Sequence, residues 1–376
     1  MNRLLIFLLS VLNISALAQK KETIYVGTFS VRGSEGIYVT EFDPADGSLT
    51  IIQTVPTPES PSYVEVHPSG KFLYSANRGS VDGISKTNGS VSAFLIGAAG
   101  KLKPIKSLPA FGLGPCHIAI DRKATMALVS HFHEGTLAVF SLQADGSLGT
   151  MTDSIRYAGH GLDPQRQNKP HIHSATFTPG DRSILVADLG GDRIFNYQSK
   201  TFEGKLIPAS PPIIETKPGT GPRHVAFHPD GNYFFLSEEI SCTVAAFGFD
   251  VKTGEVTLIE DAIKSLPEGF HEKSSASDIQ ISPDGKFVYM ANRGPDTLEI
   301  FEVLKDGRLN LIGHQNIGGK QPRFMMFDRT GNYFLCANQN SDNIVIFKVD
   351  KKSGMLTPSG KELKMPSPVC LKSLNR

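Results

Sequence analysis

The 376-residue sequence contains no tryptophan and only four cysteines, Cys116, Cys242, Cys336 and Cys370. No two of them form a Cys-x-x-Cys pair, so a zinc knuckle is excluded and a dense disulfide framework is not expected; buried free thiols are. A surplus of charge is also missing, with 38 basic against 37 acidic residues. Nothing therefore marks a nucleic-acid binder, which needs a basic excess or a basic stripe. There is no His-Glu-x-x-His, no Gly-x-Ser-x-Gly, and no Gly-rich loop leading from a strand into a helix. These absences argue against a zincin, a nucleophile-elbow serine hydrolase and a dinucleotide-binding domain.

Long hydrophobic runs are absent everywhere but the N-terminus. There Arg3 precedes the apolar run LLIFLLSVLNI (Leu4 to Ile14), and ALA (Ala16 to Ala18) follows. This reads as a secretory signal peptide over residues 1–18, too short for a stable membrane anchor. No cysteine follows the cleavage pattern, so no lipid anchor is expected. The expected location is periplasmic or secreted, or cytoplasmic if the segment is not cleaved. Removing it takes away Arg3 and no acid, which leaves 38 − 1 = 37 basic residues against 37 acidic ones.

What the chain does have is glycine and proline, 36 and 24 residues spread evenly, the pattern of many short elements joined by many turns. A turn of the form polar-Gly-x-Leu/Val recurs at Gly47, Gly100, Gly146, Gly204, Gly254, Gly307 and Gly354, at intervals of 53, 46, 58, 50, 53 and 47 residues. Glycine there supplies the positive φ of a tight hairpin. Between these turns lies a second repeat, an alternating run, a tight turn and another apolar run, as in PSYVEVHPSGKFLYSANR, PHIHSATFTPGDRSILVADL and GPRHVAFHPDGNYFFLSEE. A third strand follows, as in GTLAVFSL and NIVIFKV. A period near 50 residues with about four strands per copy predicts an all-β, seven-bladed β-propeller. SPVCLKSL near the C-terminus resembles the inner strand SYVEVHPS, so one C-terminal strand should complete the N-terminal blade. That closure leaves no free sheet edge. No linker-like composition interrupts the pattern, and residues 19–376 read as a single domain.

In such a blade the start of the innermost strand and the end of the second lie on the same face of the disc. Polar residues at these places should gather at one mouth of the channel. The strand starts carry His117, His171, His173, Arg223, His224, Ser277, Asp278 and Arg323; the ends carry Asn77, Arg78, His131, His133, Asp188, Glu238, Glu239, Asn292, Arg293, Asn338 and Asn340. Six of the 11 histidines fall in these positions. Asp and Asn at a turn need only bond the backbone. The concentration of His, Arg and Glu instead fits a mouth that binds an anionic small molecule and moves protons. His131/His133 and His171/His173 are also i, i+2 pairs with the spacing of zinc ligands. They sit in adjacent blades, and the reading adopted assigns no metal and no cofactor.

The motifs YVGTF, GPRHVAFHPDGNYFFLSEEISCTVAAF, ASDIQISPDGKFVYMANRGPDTLEIF and PHIHSATFTPGDRSILVADLGGDRIFNY resemble, in this order, the propeller-type 6-phosphogluconolactonase family, which is related to carboxy-cis,cis-muconate cyclase. The resemblance covers nearly the whole chain after residue 18. It implies a metal-independent site using one His, two Arg and a Glu, which fall on His173, Arg223, Arg293 and Glu239. His171, His131, Asp188, His224 and Arg323 are the further candidates for substrate contact. The implied reaction is water attack on a sugar lactone, phosphorylated or not, with His173 as base, Arg223 and Arg293 holding anions, and Glu239 positioning His173 or passing the proton. The alternatives are a muconate-type cycloisomerase using the same residues and a ligand-binding propeller without turnover. The implied partner is a small anionic or sugar lactone, with no nucleic acid and no membrane anchor.

Overall fold

Each of the seven repeat glycines sits at a φ between +74° and +82°, at the tip of a hairpin between the third and fourth strands of a sheet. In the computed structural model, which describes residues 20–57, 59–79 and 88–374, these hairpins sit on seven four-stranded antiparallel sheets arranged in a ring. The expected signal peptide lies outside the described residues. Six blades run inner to outer in chain order, over residues 61–109, 115–156, 172–215, 222–264, 275–316 and 322–364. The first blade does not. Its inner strand is Pro368–Ser373, paired antiparallel with Glu22–Thr28 through Ile24↔Ser373 and Val26↔Leu371. The two ends of the chain thus share one sheet, as expected. The inner strands then pack side by side around the ring, the last against the first. Among the described residues the only helical elements are two three-residue 3-10 turns.

Three of the repeat glycines do a second job. Their backbone carbonyls accept hydrogen bonds from tyrosines of the preceding blade: Tyr25 Oη to Gly100 O at 2.9 Å, Tyr74 Oη to Gly146 O at 3.0 Å and Tyr289 Oη to Gly354 O at 2.6 Å. These bonds satisfy buried phenols at the seams between blades. The rest of each seam is apolar, for example Phe235, Met290 and Phe301 between two blades, and Tyr289, Phe334 and Phe347 between the next two. All four cysteines are free and buried.

One feature recurs in every blade and was not expected. The register between inner and second strands slips by one residue near the start of the inner strand. The residues at the slip are Ser62, Cys116, His173, Arg223, Ser277 with Asp278, Arg323 and Val369. A β-bulge leaves its residue unpaired and re-aims its side chain. Here it allows two sequence neighbours to serve the axis at different depths. Arg223 lies in the mouth, while His224 lines a cavity of about 490 Å³ that opens on the opposite face.

Candidate active site

Glu239 is the centre of the mouth. It follows Glu238, the last residue of the strand Tyr233–Glu238, and adjacent residues of an extended chain point opposite ways. Glu238 turns back into its own blade, where Thr243 Oγ1 donates to its Oε2 at 2.5 Å. Glu239 turns to the axis. Its Oε2 accepts from Arg223 Nε at 2.9 Å and lies 3.0 Å from Arg293 Nη2, and its Oε1 accepts from Arg166 Nη2. Arg223 and Arg293 are themselves buried, and two backbone carbonyls, Ser275 O and Ala276 O, hold the Arg293 guanidinium.

Burial by itself would raise the Glu239 pKa. Arg293, Arg223 and Arg166 together outweigh that and hold it well below the ordinary carboxylate range. Glu239 is therefore an ionised carboxylate across the physiological range. Of the two roles expected for it, positioning fits this state and passing a proton does not. Arg223 is shifted down to about 10, chiefly by burial, and stays protonated.

His173 Nε2 stands 3.9 Å from Glu239 Oε2, and its Nδ1 is buried without a partner among the described residues. Burial first, then the charges of Arg223, His224, Arg323 and Arg78, push its pKa well below 6.5. The ring is neutral, the form in which an imidazole accepts a proton. Its edge meets Phe132, with ring centroids 5.6 Å apart.

The structure brings His173, Arg223, Glu239 and Arg293 together. It places His171 on the same wall, stacked on Phe132 at 4.5 Å with Nδ1–H donating to Phe132 O at 2.7 Å. Arg323 reaches the mouth from the seventh blade, over the Phe29 ring at 4.9 Å and 3.4 Å from Gln339 Oε1. His224 lies one layer deeper. His131 and Asp188 are not brought into the cluster. His131 faces its own blade, with Nδ1 3.1 Å from Thr136 Oγ1 and the ring packed over Gly112. Asp188 Oδ1 accepts from the backbone N–H of His171 at 2.8 Å and of Gly190 at 3.0 Å. It shapes the turn that presents His171. Burial raises its pKa to about 6. Among the described residues, no three of His, Cys, Asp and Glu come together as a metal-binding set.

Two arginines gain importance that the sequence did not give them. Arg166 comes from the connection 157–171, and the 58-residue interval between Gly146 and Gly204, the longest of the six, was its only trace. Arg78 follows the strand Phe72–Asn77, lies over Phe132 at 5.4 Å and 3.2 Å from His133 Nε2, and has a buried Nε without a partner among the described residues. Neither Arg78 nor Arg323 has a carboxylate within ion-pair distance among the described residues. The mouth thus sets five guanidinium groups around one carboxylate.

A seven-bladed ring is the architecture of the propeller lactonases. The chain belongs to that family: the family described as Lactonase, 7-bladed beta-propeller matches residues 23–373. It is 34% identical over 354 residues to a 6-phosphogluconolactonase of Bacillus subtilis, covering 94% of this chain and 98% of that protein. It is 32% identical to a 6-phosphogluconolactonase of Formosa agariphila, covering 90% and 96%. The solved structure of a periplasmic gluconolactonase of Pseudomonas aeruginosa superposes with a TM-score of 0.89 at 29% identity, over 95% of this chain and 99% of that one.

Proposed function

We propose that this protein hydrolyses an anionic sugar lactone at the Glu239 mouth. The observation that carries this reading is a neutral, buried imidazole, His173, beside an ionised Glu239 held by Arg223 and Arg293. Water placed between His173 and the lactone carbonyl loses its proton to the imidazole as it attacks. Arg223 and Arg293 stabilise the oxyanion in a site that is mostly shielded from water. Glu239 keeps these two guanidiniums in place, and its charge favours the imidazolium as it forms. His173 then returns the proton to the leaving ring oxygen, and the lactone opens to an aldonic acid.

Arg78 and Arg323 supply the second half of the reading. A half-buried guanidinium without a counter-ion is costly. A phosphate or carboxylate remote from the reacting carbonyl would supply that ion with bidentate bonds. The names of the curated relatives, 6-phosphogluconolactonases, agree with such a group. The N-terminal pattern and the periplasmic relative support an exported protein, so both gluconolactone and its 6-phosphate belong in the first assay. That assay follows lactone opening by purified protein above the spontaneous rate. Turnover that is lost in His173→Ala supports the reading, and undiminished turnover in that variant rejects it.

A further inference from the structure

Glu239 keeps its two oxygens for different neighbours. Oε2 faces Arg223, Arg293 and His173, and Oε1 meets only Arg166 among the described residues. The Arg166 side chain is 39% exposed, against 2% for Arg223 and 9% for Arg293. It therefore stands on the open side of the carboxylate, where a molecule entering the mouth arrives first. Only Nη2 of its guanidinium is engaged; Nε and Nη1 have no partner among the described residues. The connection that carries Arg166 is held from beneath by Gln167, which is fully buried. Gln167 Nε2 donates to Leu189 O at 2.9 Å and to Asp192 Oδ1 at 2.7 Å, and its Oε1 accepts from the backbone N–H of Asp163 at 3.0 Å. Asp163 Oδ1 in turn accepts from the backbone N–H of Arg166 at 3.1 Å. Asp192 also accepts from the N–H groups of Gly219 at 2.7 Å and Gly221 at 2.9 Å, and Gly221 O accepts from the Glu239 N–H at 2.7 Å. One buried carboxylate thus ties together the backbones that carry Arg166 and Glu239.

We propose that Arg166 is a specificity-determining residue, whose unused N–H groups donate to hydroxyls on the ring of the lactone, and that Gln167 is the residue that positions it. This rests on the reading that the lactone opens beside His173 and Glu239. The class of group that Arg166 takes follows from its charge. Arg78 and Arg323 have no carboxylate among the described residues and call for an anion. Arg166 already has one; what it lacks is acceptors for its remaining donors, and neutral hydroxyls supply them. A free arginine side chain would lose much rotamer freedom on binding. Glu239 at one end of Arg166 and the Gln167 bonds at the other have removed part of that freedom beforehand, so less is lost when the lactone enters.

The test is steady-state kinetics on gluconolactone and its 6-phosphate. Arg166→Met keeps an unbranched side chain and removes every side-chain donor. KM should rise by roughly 10-fold, the scale of a lost charge-assisted hydrogen bond, with the two substrates within about threefold of each other. The turnover number kcat should stay within about threefold, because Arg223 and Arg293 still hold Glu239 and the lost contact serves ground and transition state alike. Where only one lactone is turned over, the inhibition constant of the other replaces its KM. Gln167→Met should raise KM to the same extent, and in the Arg166→Met background it should add less than about twofold. Asp163→Ala, which removes the acceptor for the Arg166 N–H, takes its place if Gln167→Met folds poorly. A rise in KM confined to the 6-phosphate would assign Arg166 to the remote anion. A fall in kcat with KM within about twofold would leave it as a holder of Glu239 alone. Either result overturns the proposal, and additive losses in the double variant overturn the role of Gln167. His173→Ala run in parallel separates the two ideas. If it retains turnover, the lactonase reading fails; if it loses turnover and Arg166→Met leaves KM unchanged, only the role of Arg166 fails.

Discussion

Glu238 and Glu239 are consecutive in the chain, yet their carboxyl groups titrate in opposite directions. Glu238 is fully buried in its blade, one oxygen lacks a partner among the described residues, and burial raises its pKa to about 7. Glu239 is almost as buried, but three arginines hold it below its ordinary 4.5. Burial is common to both, and the charge on the other side of the strand separates them.

This contrast predicts opposite effects of two identical substitutions. Glu238 is protonated more readily in the folded than in the unfolded protein. Its presence therefore costs stability as pH rises from about 4.5 to about 7, and the cost is constant above that. Glu238→Gln should be nearly neutral at pH 5 and stabilising at pH 8 by roughly 2 kcal/mol, read from thermal or denaturant melts at both pH values. A constant difference would refute the assignment.

Glu239→Gln should go the other way at every pH above its own titration. A depressed pKa means that the stabilisation is present above about 4.5 and is lost only as pH falls toward the folded value. Removing the carboxylate leaves Arg223 and Arg293 buried and uncompensated, at a cost of about 3 kcal/mol, and kcat should drop by ~10²-fold or more. Melts and steady-state rates of this one protein test both statements.

The pH dependence of the rate should report His173. The reactive form is the neutral ring, and the free protein holds its pKa well below 6.5. The acid limb of kcat/KM should therefore lie well below pH 6.5. An anionic substrate cancels part of the arginine field and favours the imidazolium, so the limb of kcat should sit at higher pH than that of kcat/KM. Coincident limbs would argue against a substrate charge close to His173.

Arg78 and Arg323 should govern which lactone is accepted. Arg78→Met and Arg323→Met should each raise KM for a phosphorylated lactone by roughly 10- to 100-fold, the scale of a lost charge-assisted bond. Both should leave an uncharged lactone within about twofold. Equal losses on the two substrates would place these side chains at the reacting carbonyl instead of at a remote anion.

Ring closure is testable by truncation. Ending the chain at Met365 removes the strand Pro368–Ser373 and uncovers the edge of Glu22–Thr28, whose Ile24, Tyr25 and Val26 are fully buried in the closed ring. An apolar exposed edge pairs with other chains. The truncated protein should aggregate or lose its cooperative melt. A monomer with near-parental stability, seen by size exclusion and calorimetry, would show that the clasp is dispensable.

Much of this architecture could be read directly. The glycine turns counted the blades, because only a residue free of Cβ takes that φ cheaply at a hairpin tip. Alternation set the strands, and the likeness of SPVCLKSL to an inner strand foretold the closure. Strand polarity also placed His173, Arg223, Glu239 and Arg293 at one mouth. Which candidates turn inward was less legible. His131 and Asp188 have the same sequence positions in their hairpins as Glu238, and like it they face their own blades. Arg166 lies in a connection without a repeat partner to align it.

The sequence by itself determined the count of blades, the way the ring closes and the ring of polar positions at the mouth, since each depends on local periodicity and turn chemistry. Tertiary structure alone decided the site's electrostatics. The bulges that aim His173, Arg223 and Arg323 break the local strand pattern, and the three arginines on Glu239 come from separate stretches of the chain. Charge and desolvation act through space, so no local pattern records them.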